Sequence, residues 1–253
     1  MSGQRSILDR AMRLVAPAAV RTFVPPPRAL SEGLWIVDRK LSMPPGLILP
    51  TRMTVMRLAN GALALHSPVA LDGDLAAALR SLGDVSAIIA PNSFHHVFAA
   101  EYVAAFPTAR VLAAPGLAER VPSFPVAVPL SDEPPPLWSG TLEHIVFGPV
   151  RGVSEVVFLH RPSRTLVLTD LAFNMRRIDG LHQRVAWRLF GVPASFGPSR
   201  TARLTLLRDP TAVRHLIEQV SAWSFERIVV AHGEVVERDA GAAFRRAFAR
   251  YGA

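Results

Sequence analysis

Side chains able to ligate a cation or move a proton stand at the ends of apolar runs. His95 and His96 close the stretch 88–97 (IIAPNSFHHV), Asp170 follows LVLT in 166–174, and His232 follows IVVA in 228–233. A fourth stretch, 148–160 (GPVRGVSEVVFLH), carries Arg151. Loops that follow buried strands gather along one sheet edge, where binding groups concentrate. Cysteine is absent, so disulfides and thiolate sites are excluded, and any metal must be held by His, Asp or Glu. Each residue also has a structural role open to it. A strand-end histidine serves as a hydrogen-bonded core group, Asp170 as the cap of the segment after it, and Asn92 as the cap of a helix beginning near His95.

The elements that would position these groups are short. Strands are expected over 34–37, 54–58 and 62–65, the last two joined at Asn60-Gly61, a strong hairpin signal. A helix over 75–82 ends at Gly83, a strand covers 87–90, a helix covers 95–106, and a strand covers 110–113. The second half follows a similar pattern, with strands over 142–146, 155–160 and 165–168, a helix over 211–223, a strand over 227–231 and a closing helix over 239–251. Hairpins alternating with strand–helix units predict an α+β protein, two mixed sheets packed face to face with helices outside, a four-layer αββα sandwich.

Length and composition, 253 residues with half of them hydrophobic, allow one large ordered domain. The net charge of +8 comes almost wholly from arginine, with Lys40 the only lysine. Arg5, Arg10, Arg13, Arg21 and Arg28 against Asp9 give residues 1–30 a balance of +4. Seven arginines against Asp179 give residues 175–208 a balance of +6, which leaves the remainder at −2. Basicity confined to two appendages argues against a nucleic-acid binder, whose basic face runs across the fold. It fits contact with an anionic membrane surface, or simple solubilisation of two apolar segments. Residues 1–30 read as a basic amphipathic helix over 6–22, opened by Ser6 and Asp9, and a proline linker at 25–27. Residues 31–253 read as the domain, with 175–208 as an insertion or lid. No secretion signal or membrane span is legible, so a cytoplasmic location, or one peripheral at the inner membrane, is expected.

The order and spacing of the four stretches resemble the metallo-β-lactamase superfamily over residues 34–253. The Pro-Asn-x-x-His-His form of the first motif is similar to a bacterial branch that is a domain of unknown function. In the superfamily, a T-H-x-H-x-D-H motif, a later histidine, an aspartate and a final histidine hold two metal ions. Carried over residue by residue, the resemblance places Pro91 and Ser93 on the two leading histidines, His95 on the aspartate and His96 on the last residue of the motif. Arg151 falls near the next histidine, Asp170 on the bridging aspartate and His232 on the final histidine. Proline, serine and arginine cannot replace imidazole as ligands.

The resemblance therefore implies a site cut from two ions to one or none, with His95, His96, Asp170 and His232 as ligands and zinc, iron or manganese as the metal. It implies catalytic roles for Asp170 and His95. Arg52, Asn92 and Arg151 are expected to face a small-molecule, anionic substrate, the arginines binding it bidentately, with pairing to a carboxylate as the structural alternative for Arg52. Ser67, after a strand with His66, belongs to the same polar group. Two functions follow as expectations: a mononuclear metal-dependent hydrolase of ester or phosphoester bonds, or a non-catalytic binding or scaffold module, membrane-associated through 1–30 and 175–208. The oligomeric state is not legible.

Overall fold

The computed structural model describes residues 18–19, 26–43, 46–125, 127–138, 140–150 and 152–252. Eight strands form the first sheet: β1 (Ala18–Ala19), β2 (Arg28–Ser31), β3 (Leu34–Met43), β4 (Leu47–Arg57), β5 (Leu63–His66), β6 (Val85–Ala90), β7 (Arg110–Ala113) and β8 (Val128–Pro129). Their order is β1-β3-β4-β5-β6-β7-β8, with β2 also paired to β3. The pairings are antiparallel as far as β5 and parallel from β5 to β8. The second sheet has the order β12-β11-β10-β9, from β9 (Leu142–Val150), β10 (Val153–His160), β11 (Thr165–Leu168) and β12 (Arg227–Val230). Its hairpin pairings are antiparallel, and β11 and β12 run parallel. Both sheets are mixed, as the sequence predicts.

Strand alternation sorts the apolar side chains into layers. Ile36, Met56, Ile89, Phe158, Val167 and Val229 meet between the sheets. Their neighbours Val37, Val55 and Ile88 face outward, beneath α1 (Gly73–Leu82) and α2 (Ala99–Ala105), through Leu75, Leu79 and Tyr102. Val157, Leu166, Leu168 and Val230 face the other way, beneath α6 (Pro210–Ala222) and α7 (Ala240–Phe248), through Leu216, Ile217 and Phe244. Strands buried on both faces read as unbroken apolar runs, and each large side chain so buried contributes about 1.5–3 kcal/mol. Helix–sheet–sheet–helix is thus the arrangement that covers every apolar face.

Local chemistry sets the helix starts. Asp72 accepts from the Leu75 amide at 2.7 Å to cap α1. Asp209 caps α6 ahead of Pro210. The other α-helices among the described residues are the short α3 (Leu117–Arg120) and, in the basic insertion, α4 (Leu181–Leu189) and α5 (Arg200–Leu204). No helix among the described residues is long and apolar enough to cross a membrane.

Three expectations change. The hairpin of β3 and β4 is far longer than 34–37 and 54–58, pairing without interruption from Leu34↔Met56 to Met43↔Leu47. Its tip is anchored by α4: Trp187 Nε1 donates to the Ile48 carbonyl at 3.1 Å, and Gln183 bonds both the Ile48 amide at 3.0 Å and the Gly46 carbonyl at 2.9 Å. The helix expected from His95 begins only at Ala99, residues 93–98 being turns. The helix expected over 6–22 lies outside the described residues apart from Ala18–Ala19, which pair with Ser42 and Leu41 as a strand.

Candidate metal centre

Three of the predicted groups meet. His95 Nε2 lies 3.2 Å from His232 Nε2 and 3.3 Å from Asp170 Oδ2, and His232 Nε2 lies 3.3 Å from Asp170 Oδ1. They come from the turn after β6, the loop after β11 and the end of β12, strand ends brought together by the packing of the two sheets.

Each is held from behind. The His232 Nδ1–H donates to the Pro50 carbonyl at 2.7 Å, which turns the lone pair of Nε2 into the cluster, and the ring stacks on Phe173 at 4.8 Å. His95 Nδ1 sits 2.6 Å from Ser67 Oγ. Asn92 does two things at once. Its Oδ1 accepts from the amides of Phe94 and His95 at 2.8 and 2.9 Å, fixing the turn. Its Nδ2 donates to Asp170 Oδ2 at 2.8 Å and to Thr169 Oγ1 at 3.1 Å. Asn92 thus caps a turn rather than the expected helix, and it is fully buried behind the cluster rather than in the cavity wall where a substrate-facing residue was expected.

Glu155, which sequence reasoning passed over, shapes the Asp170 loop. Fully buried on β10, its carboxylate accepts from the amides of Thr169, Asp170 and Leu171 at 2.8, 2.9 and 2.9 Å. The signal that could have found it was an acidic residue inside the buried run VSEVVFLH. Burial and then the Asp170 charge push the Glu155 carboxyl up to about 8, against the Thr169 and Asn92 hydrogen bonds. Burial would raise Asp170 as well, but His95 and His232 hold it below the usual carboxylate range.

Gly233 completes the geometry. It takes a φ of +100°, and a Cβ there would stand 2.2 Å from the Asn174 carbonyl oxygen. Only glycine lets the chain after His232 pass this closely over Asn174.

The other predicted residues lie elsewhere. His96 is turned from the cluster, with its ring edge-on to Phe124 at 5.8 Å. Adjacent residues in a turn point in different directions, and the Asn92 hydrogen bonds send His95 inward. Arg52 is buried and committed to structure: Nε donates to Asp38 Oδ1 at 2.7 Å and Nη1 to the Val230 carbonyl at 2.9 Å, tying β4 to β12. Arg151 lies outside the described residues. Pro91 and Ser93 pack as backbone and core: the Pro91 carbonyl accepts from Val156 at 2.8 Å, and Ser93 is buried.

The cluster opens into a cavity of about 320 Å³. Leu41, Met43 and Leu49 of the long hairpin, Phe173, and Trp187 and Phe190 of the insertion form much of its wall. No arginine or lysine among the described residues lines it.

The donor set suits a cation. Around a tetrahedral zinc with bonds of 2.0–2.1 Å, ligand atoms stand about 3.3 Å apart, close to all three separations found. Without a cation, an imidazole Nε2 proton must lie between His95 and its neighbours to keep the lone pairs from facing one another.

The model of the family described as Domain of unknown function (DUF4336) matches residues 31–178. No curated protein matches the chain. Among solved structures it is similar to the DIM-1 metallo-β-lactamase, at TM-score 0.61 and 10% identity over 90% of this chain and 99% of that one. FIM-1 from Pseudomonas aeruginosa, in its mono-zinc form, gives 0.60 and 13% over 91% and 97%. A metallo-β-lactamase from Pontibacter korlensis gives 0.59 and 11% over 87% and 96%. Identities this low carry the fold and nothing finer. The chain belongs to the DUF4336 family and has the metallo-β-lactamase fold.

Proposed function

We propose that this protein is a mononuclear metal-dependent hydrolase, its cation held by His95, Asp170 and His232. The observation that carries the reading is the triangle of ligand atoms, 3.2, 3.3 and 3.3 Å on its edges, placed at the wall of a cavity. Three protein ligands leave a coordination position for water or substrate. A divalent cation there supplies Lewis acidity for a carbonyl and for water. The side chains divide the remaining work. His232 is committed at Nδ1 to Pro50 and serves as a fixed ligand. Asp170, kept ionised and pinned at Oδ2 by Asn92, is the acceptor that orients water. His95, its Nδ1 backed by Ser67, presents Nε2 as the third ligand. That FIM-1 is described in a mono-zinc form supports one ion as a workable state of this fold.

A second reading, a non-catalytic binding module, draws on the packing of Pro91 and Ser93 where a second ion would be held. Elemental analysis separates the two. The hydrolase reading expects about one equivalent of zinc, iron or manganese per chain, lost on His232→Ala together with ester hydrolysis. A chain that retains no metal after reconstitution with all three, and turns over no ester, is the binding module.

A further inference from the structure

We infer that the cavity beside the metal cluster is a site for an uncharged aliphatic chain, so that the substrate is an ester carrying such a chain rather than an anion. The inference rests on the hydrolase reading for its reactive bond, and on the cavity wall for its chain.

The wall decides the chemistry. Leu41, Met43, Leu49, Phe94, Phe173 and Val192 present apolar side chains. Among the described residues, the polar side chains in the wall are hydroxyls, the Trp187 indole already bonded to Ile48, and the cluster itself, and Asp170 supplies the only full negative charge. Away from the cluster, where a bound cation would be the partner of an anion, no described guanidinium or ammonium lines the wall, and Arg52 is spent on Asp38 and Val230. A charged group lying along that wall loses its hydration and gains no partner. An aliphatic chain has the opposite balance, because every methylene leaves water for an apolar wall. A cavity of about 320 Å³ with a few convergent polar groups at one end is the shape of a ligand site.

The rim extends the argument. Gln183 and Trp187 turn one face of α4 onto the long hairpin, while Leu181, Val185 and Leu189, spaced four apart, stand 69, 50 and 71% exposed. Phe190, at the helix end, lines the cavity and is 56% exposed. Apolar surface therefore runs from solvent into the cavity. A chain can arrive from solution as a monomeric ester or from a bilayer as part of a lipid.

The test uses the full chain stripped with a chelator, so that it does not depend on metal. Methyl esters of hexanoic to dodecanoic acid are titrated by calorimetry and by the fluorescence of Trp187, with Trp187→Phe identifying that signal. Affinity should rise roughly fourfold per methylene until the cavity is full. Phe190→Glu and Val97→Glu, both at exposed positions in the wall, should weaken the longer esters about tenfold with no change in melting temperature. A second arm sediments the protein with phosphatidylglycerol vesicles. Sedimentation that is lost in Leu181→Glu/Leu189→Glu, with monomeric ester binding kept, assigns the chain to a bilayer lipid; absence of sedimentation with ester binding kept assigns it to a soluble ester. Affinity that ignores chain length, or tighter binding of phenyl phosphate than of the decanoate ester, overturns the proposal. Loss of hydrolysis with chain binding intact would sink the metal reading and leave this one standing.

Discussion

At the scale of residues, the site depends on buried amides and hydroxyls as much as on the three cluster groups. Asn92 holds both the turn that delivers His95 and the carboxylate of Asp170, so its loss loosens two corners of the triangle together. Groups that orient metal ligands are commonly worth 10–100-fold in affinity. Asn92→Ala is accordingly expected to weaken zinc binding by roughly that factor, measured by competition with a chromogenic chelator, while His96→Ala leaves it within about twofold. Equal losses from the two variants would mean that His96 reaches the metal in solution. Which of two adjacent histidines turns inward could not be read from their types. The hydrogen bonds of Asn92, which opens a turn rather than a helix, make the choice.

At the scale of elements, the end of β12 is positioned from two sides. Arg52 on β4 bonds Val230, and Pro50 on the same strand bonds His232. From the other side, the backbone of Asn174 packs on Gly233 so closely that a methyl group has no room. Gly233→Ala is therefore expected to destabilise the fold by about 2 kcal/mol or more, through positive φ and backbone overlap together. Urea denaturation checks this, and a wild-type midpoint would show that the loop relaxes. The two sheets themselves were legible as apolar runs and an Asn-Gly turn. The reach of the β3–β4 hairpin was not, because its outer half is stabilised by α4 from more than a hundred residues away, through Gln183 and Trp187.

At the scale of the whole molecule, buried titratable groups set the response to pH. Burial lowers His66 from 6.5 to about 3, with a further push from His95, and burial likewise lowers His96, His144 and His160. Their folded values lie below the unfolded one, so their contribution is present above about 6.5 and is lost as pH falls, at roughly 1.4 kcal/mol per unit for each proton excluded. Glu155 acts in the opposite sense. Raised from 4.5 to about 8, it favours the fold at low pH and loses that contribution as pH rises between those values. Four histidines outweigh one carboxyl below about 6.5, and between there and about 8 Glu155 is the group that acts. The unfolding free energy of chelator-treated protein should therefore peak near pH 6.5 and fall on both sides, and Glu155→Gln should flatten the alkaline side. A free energy that climbs steadily from pH 6.5 to 8 in the native protein would contradict a Glu155 carboxyl raised by its burial.

The sequence alone determined the layers and the strand ends. Period-two alternation in doubly buried strands leaves few ways to cover the apolar faces, and Asp170 and His232 are fixed to the ends of their strands by position in the chain. Tertiary structure alone decided that His95 completes the triangle and His96 does not. It also spent Arg52 on an ion pair, set Glu155 behind Asp170, and built an apolar cavity from a hairpin tip and an insertion. Those outcomes depend on side-chain direction and on contacts between distant segments, and neither is encoded in the type or spacing of any one residue.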